Sequence, residues 1–327
     1  MDPREYKDFK TSRGYSYHYF YAAPQGEKLT LILLHGFPTM SLDWATIVPS
    51  FKKEGYGLIV PDLLGYGGTD KPTDPKEYRL KLMAEDIIEI IEAEKTRKVI
   101  SIAHDWGCGL NSRIANYFQD RFEAFAFLSI AYFPPIPDGL QIDAINDVSE
   151  KMYGYRYLGY WRFFERDDAS EIIEAHLDSF QCLGYAKDPK VLRHNFCHEG
   201  QLYKWLITDQ KTDIAPYVPQ EAIALGTELA KKYGFKAPLC WYKAVLLGHV
   251  PKDDAELSKE AYIIKKPVFF GATLQDPTGP VELMKATMGV YSPKLKVANF
   301  DTGHWLLMEA PEKTIEELLK WLQSLGY

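Results

Sequence analysis

The chain is as informative in what it lacks as in what it holds. No run of 18 apolar residues occurs in its 327 positions, so no transmembrane helix is expected. Positive charge is in deficit, with 38 Lys and Arg against 45 Asp and Glu and a formal net charge of -7. That balance argues against a nucleic-acid partner. The first ten residues, MDPREYKDFK, are charged throughout and do not read as a secretory signal. Cysteine is scarce: Cys108, Cys182, Cys197 and Cys240 lie far apart without a CxxC. They read as reduced, buried thiols of a cytoplasmic protein. His194, Cys197 and His198 could share a helix face, but no companion ligand pair accompanies them, so neither a metal nor a cofactor is expected. Internal repeats and low-complexity segments are also missing.

What remains is patterned as strands alternating with helices. Residues 6–12 and 15–22 alternate like two antiparallel strands joined near Gly14. Residues 29–35 (LTLILLH) and the run YGLIVPDL are continuous apolar stretches, as fully buried strands require. Between them, Asp43 to Lys53 is amphipathic and ends before Gly55; after the second run and its glycine-rich loop, Leu80, Met83, Ile87, Ile88 and Ile91 keep a second helix face. Phe37-Pro38 stands in a turn tight enough for a cis bond. A strand is expected over 122–132. The pattern breaks at Pro134-Pro135 and returns as strands only at 266–271 and 294–300, followed by a last helix from Pro311 to Gly326. The expected fold is therefore α/β: a mostly parallel twisted sheet with helices on both faces. Residues 1–133 and 263–327 form its core domain, and residues 134–262 a helical cap inserted over the carboxyl edge of the sheet.

The organising stretch is KVISIAHDWGC, residues 98–108. Val99, Ile100, Ile102 and Ala103 make a short buried strand that stops at Asp105. Helical spacing then opens at Trp106 and continues through Leu110, Ile114, Ala115 and Phe118. Strand, sharp turn and helix are the parts of a nucleophile elbow. Ala103 and Gly107 flank the tip, where a strained turn excludes side-chain bulk. The serine usual at such a tip is absent, and aspartate takes its place. Asp276 follows the strand near 267–273, and His304 follows the strand near 295–300. Nucleophile, acid, histidine is the chain order of α/β-hydrolases. Taken singly, Asp276 before Pro277 reads as a turn former and His304 as a structural histidine; the elbow upstream gives both a catalytic reading.

With these residues in view the chain resembles the soluble epoxide hydrolases of the α/β-hydrolase superfamily. The similarity is carried by His35-Gly36-Phe37-Pro38, Gly65-Tyr66-Gly67-Gly68-Thr69-Asp70, His104-Asp105-Trp106-Gly107 and Gly303-His304-Trp305 with Glu309-Ala310-Pro311. The resemblance implies a small apolar epoxide and water as substrates and Asp105 as a nucleophile forming an alkyl ester. His304 would activate water, Asp276 would orient it, and the backbone N–H groups of Phe37 and Trp106 would form an oxyanion hole. It also implies two cap tyrosines that donate to the epoxide oxygen. Tyr242 fits one; Tyr160 fits the other, with Tyr153 and Tyr157 in the same aromatic run as alternatives. The chemistry agrees with the residue types. A carboxylate is ionised near neutral pH, and its attack on saturated carbon gives an ester that water can cleave. A serine would give an inert ether. A phenol with pKa near 10 can stabilise the departing oxygen without prior positive charge. Haloalkane dehalogenases share the aspartate elbow, but phenylalanine at 37 offers no side-chain donor for halide. A fluoroacetate-type dehalogenase would want arginine where Trp106 stands. A ligand-binding protein on the same fold is the non-enzymatic alternative.

Overall fold

A computed structural model describes residues 1–327. Eight strands form one sheet: β1 (Tyr6–Lys10), β2 (Ser16–Ala22), β3 (Thr30–Leu34), β4 (Gly57–Pro61), β5 (Val99–His104), β6 (Ala124–Leu128), β7 (Val268–Thr273) and β8 (Leu295–Phe300). Their spatial order is β1-β2-β4-β3-β5-β6-β7-β8. β2 runs antiparallel to both neighbours, and every pair from β4 to β8 is parallel. The apolar runs of β3 to β7 are buried along their whole length. Successive side chains serve opposite faces: Ile32 and Leu34 join one core, Leu31 and Leu33 the other. β8, at the edge, alternates between buried and partly exposed positions. This is the mostly parallel sheet expected from the alternation of patterns.

Two local expectations fail. The helix read over 43–53 is two pieces, a 3-10 turn at Ser41–Thr46 and an α-helix at Val48–Lys53. Ile47 lies between them and Pro49, which lacks an N–H donor, sits in the first turn of the second. The strand read over 122–132 covers only Ala124–Leu128, because Ser129 takes φ 64° and turns the chain away.

Between β6 and β7 the regular elements are helices joined by loops, from Ile142 to Tyr262, with one isolated bridge between Ala186 and Ile214. Both ends of this insertion are tied to the helix that follows β5, Trp106–Phe118. Arg113 is 1% exposed and donates to both oxygens of Asp254 at 2.6 Å and to the Phe133 carbonyl at 2.7 Å. Asp254 also accepts from Ile136 N at 2.9 Å. From the middle of the insertion, the Trp241 indole donates to the Leu64 carbonyl at 2.9 Å. The insertion therefore rests on the loops at the carboxyl ends of β4 and β5.

Candidate active site

Asp105 ends β5 with φ 51° and ψ -123°, a conformation that L residues adopt only under constraint. Its neighbours show why small residues surround it. A Cβ on Gly107 would stand 2.2 Å from the Leu34 carbonyl, and one on Gly36 would stand 2.3 Å from Asp105 Oδ1. Phe37 N–H donates to that Oδ1 at 2.7 Å. The loop carrying it is fixed by His35, whose Nδ1–H donates to the Gly36 carbonyl at 2.9 Å while Nε2 accepts from Leu63 N. Burial raises the Asp105 carboxyl above its ordinary pKa, opposed by His304 and by the N–H groups of Phe37 and Trp106. Phe37 and Trp106 thus converge on the carboxylate as the sequence reading expects.

His304 Nδ1–H donates to Asp276 Oδ2 at 2.7 Å, and His304 Nε2 stands 3.5 Å from Asp105 Oδ2. The other oxygen of Asp276 accepts from Thr278 N at 2.8 Å and Thr278 Oγ1 at 2.7 Å. Burial works against a charge on the His304 ring. Asp276, then Asp105 and Asp43, outweigh it and push the ring up to about 9. The same pairing holds Asp276 below the usual carboxylate range despite its burial. The His304 loop is anchored through its carbonyl, which accepts from His104 Nε2–H at 2.9 Å and Ser129 Oγ at 2.8 Å. His104 is neutral, since burial and the adjacent His304 lower it to about 3.

Tyr160 opens the helix Tyr160–Phe164 and Tyr242 lies in the helix Lys236–Leu246. Their rings are 6.1 Å apart and nearly perpendicular. The Tyr242 ring also lies 5.3 Å from that of Phe37 and 4.9 Å from that of Trp106. Burial pushes both phenols well above the ordinary tyrosine value, and the Asp105 charge adds to this in each. Tyr157 is raised to about 12 by burial and Tyr153, without a contribution from Asp105. Within the aromatic run, Tyr160 lines both cavities that Asp105 lines, whereas Tyr153 and Tyr157 line only the larger one. Asp105, Tyr160 and Thr278 form a wall shared by a cavity of about 540 Å³ and another of about 100 Å³, and Tyr242 lines the smaller one.

All seven residues read from the sequence come together here. The reading missed Asp43, whose Oδ2 is buried without a partner and whose carboxyl burial raises to about 7. Nothing in the run SLDWAT marks it. It also missed Thr278, although the Asp276-Pro277-Thr278 spacing is that of an Asx turn in which the aspartate accepts from the residue two ahead. The His194, Cys197 and His198 group does not converge on one point. The two imidazoles stand 5.7 Å apart while the Cys197 thiol donates to the Pro277 carbonyl.

Comparison with known proteins agrees with this geometry. Residues 30–181 match the family model described as alpha/beta hydrolase fold. Epoxide hydrolase srdG of Neurospora crassa is 26% identical over 99% of this chain and 97% of its own length. The bifunctional epoxide hydrolase 2 of Mus musculus is 23% identical over 91% of this chain, which spans only 52% of that protein. The crystal structure of epoxide hydrolase A from Mycobacterium thermoresistibile superposes with a TM-score of 0.79 at 21% identity, covering 97% of this chain and 98% of that one. The chain is an α/β-hydrolase-fold protein that resembles epoxide hydrolases over nearly its whole length.

Proposed function

We propose that this protein hydrolyses an apolar epoxide to a vicinal diol through an ester on Asp105. The observation that carries the reading is the surroundings of one carboxylate. One oxygen is held by the Phe37 N–H, a histidine nitrogen stands 3.5 Å from the other, and two phenols close the space above. Residues 134–262 then act as a cap that supplies the phenols, over a core of residues 1–133 and 263–327.

The resting site holds Asp105 as carboxylate, His304 as imidazolium and both tyrosines as phenols. Asp105 attacks a ring carbon, the C–O bond breaks, and Tyr160 or Tyr242 gives its proton to the ring oxygen. The imidazolium proton then passes to the tyrosinate, leaving His304 neutral. Forming the ester removes the Asp105 charge, so His304 loses one of the carboxylates that held its proton. It now takes a proton from water as hydroxide adds to the ester carbon, and the N–H groups of Phe37 and Trp106 receive the oxyanion. Collapse breaks the acyl C–O bond, and His304 protonates the departing diol oxygen. The proton left on the Asp105 acid returns to His304, restoring the resting state.

His304→Gln separates this reading from its rival. The variant should open an epoxide once and stall, and intact-protein mass spectrometry should show a gain equal to the whole epoxide. With an alkyl halide, a haloalkane dehalogenase would gain the alkyl group alone and release halide. Stoichiometric halide release without reaction at an epoxide would overturn the proposal in favour of dehalogenation. Turnover-free binding of both would favour a ligand-binding role.

A further inference from the structure

The two cavities that meet at Asp105 differ about fivefold in volume, and the difference has a structural cause. The larger, about 540 Å³, is lined by Ile145, Met152, Leu283 and Met284 from the helices Ile142–Tyr153 and Val281–Tyr291, and also by rings including Trp106 and Trp161. Met152 and Val148 on its rim are 65% and 54% exposed, so this wing opens toward solvent. The smaller, about 100 Å³, is walled by rigid rings. Phe37, Phe180 and Phe235 pack on one another with centroids 5.4–6.2 Å apart, and Leu192 adds to the same wall. Gln181 restrains this side, donating to the Ile223 carbonyl at 3.2 Å and accepting from Thr227 Oγ1 at 3.0 Å. That ties the helix Leu177–Gly184, which carries Phe180, to the helix Gln220–Tyr233.

Of the two, the small wing suits the shorter arm of a substrate. The large wing lies within the range of ordinary ligand sites. A close-packed wall of aromatic rings does not swell to admit more, because displacing the rings opens voids elsewhere.

We infer that the preferred substrate is an unsymmetrical epoxide, with one long apolar arm in the large wing and a shorter arm in the small one. This rests on the epoxide hydrolase reading above and adds the shape of the substrate to it. The epoxide ring straddles Asp105 at the junction, with its oxygen under Tyr160 and Tyr242, and Phe180 is the residue that sets the length of the short arm.

An isomeric pair tests this without changing hydrophobicity: 1,2-epoxydodecane, with no carbon on the short side, and 6,7-epoxydodecane, with a pentyl group on each side. A pentyl arm asks more of the small wing than a terminal CH₂ does, and each methylene of misfit in an apolar pocket is worth about tenfold or more in kcat/KM. The terminal isomer should therefore be favoured by about tenfold or more. Phe180→Ala should raise the ratio of kcat/KM for 6,7-epoxydodecane to that for 1,2-epoxydodecane by about tenfold. Leu192→Ala should act in the same direction, and serves if Phe180→Ala does not fold. Met284→Trp, which fills the large wing, should lower the rate with the terminal isomer. Isomers hydrolysed within about threefold of each other by the wild type, or variants that change both alike, would overturn the inference and leave the activity standing. Diol from neither isomer would instead count against the epoxide hydrolase reading itself.

Discussion

Replacing Asp276 by asparagine keeps the shape of the acid and removes its charge, and the geometry dictates the consequence. Oδ1 of Asp276 accepts from Thr278 N and Oγ1 at 2.8 and 2.7 Å. An asparagine must keep its oxygen on that side, so its NH₂ faces His304 Nδ1 across the present 2.7 Å contact. His304 Nδ1 must then accept, and its proton moves to Nε2, the nitrogen that faces Asp105. In that tautomer the imidazole cannot take a proton from water at Nε2. The charge effect acts in the same direction. The rise of His304 from 6.5 to about 9 is worth about 3.4 kcal/mol in favour of the charged ring, and Asp276 is its largest favourable cause.

A comparable acid-to-amide change in a serine triad lowers kcat about 10⁴-fold. We expect Asp276→Asn to slow ester hydrolysis by about 10³–10⁴-fold and ring opening by less than about tenfold. Stopped-flow tryptophan fluorescence can separate the two, since the Trp305 ring lies 4.8 Å from His304 and the Trp106 ring 4.9 Å from Tyr242. The ester should accumulate in the intact-mass spectrum. Ring opening slowed as much as overall turnover would refute the reasoning. Stability gives an independent check. Because the folded His304 pKa lies above the unfolded 6.5, its pairing stabilises fully below about pH 6.5 and is lost as pH rises through about 9. Asp276 is depressed, so its own contribution is present above 3.8 and lost as pH falls through its folded value. The Tm gap between wild type and Asp276→Asn should be widest between about pH 4 and 6.5 and should narrow toward pH 9.

Other variants probe the remaining parts. Tyr160→Phe and Tyr242→Phe should each slow ring opening by about tenfold or more, as loss of a hydrogen bond to developing charge does, whereas Tyr157→Phe should leave that step unchanged; single-turnover kinetics decide. Asp105→Asn should abolish turnover yet melt no lower than wild type at pH 7, since burial disfavours the ionised carboxyl and asparagine tolerates positive φ; a markedly lower Tm would count against a strained, functional aspartate. Asp254→Asn leaves Arg113 charged and buried, and should cost about 3–5 kcal/mol in denaturant titrations.

Much of the site was legible because its backbone geometry is demanding. A tip residue at φ 51° needs glycine or alanine around it, and Gly36, Ala103 and Gly107 supply that in sequence. The buried strands were legible for a similar reason: a strand covered on both faces has no polar positions to hide it. Where chemistry left residues interchangeable, the sequence was silent. Phe180, Phe196 and Phe235 read like any core aromatics, so the unequal wings could not be foreseen. Tyr157 and Tyr160 are both buried phenols, and only the fold places one of them, Tyr160, on both cavities that meet at Asp105. Asp43 lay in what read as one surface helix, and the break at Ile47 that brings its turn inward follows from tertiary packing, since Trp44, Ile47 and Phe51 all enter the core.

The arrangement around His304 explains why a site with this much local strain is retained. Asp105 at positive φ and a buried Asp43 oxygen without a partner each oppose folding by about 1–3 kcal/mol. Neither contributes to the core. In the proposed cycle they share one purpose, which is to gather negative charge on a single imidazole and then remove part of it. Three carboxylates keep His304 protonated at rest, when a base has nothing to do and a cation steadies the nucleophile's charge. Ring opening converts one of the three into a neutral ester at the moment when a base is required. A serine in place of Asp105 could not do this, because it carries no charge to lose. In the proposed cycle the aspartate at the elbow therefore serves twice, as the nucleophile and as the charge whose disappearance readies His304 for water.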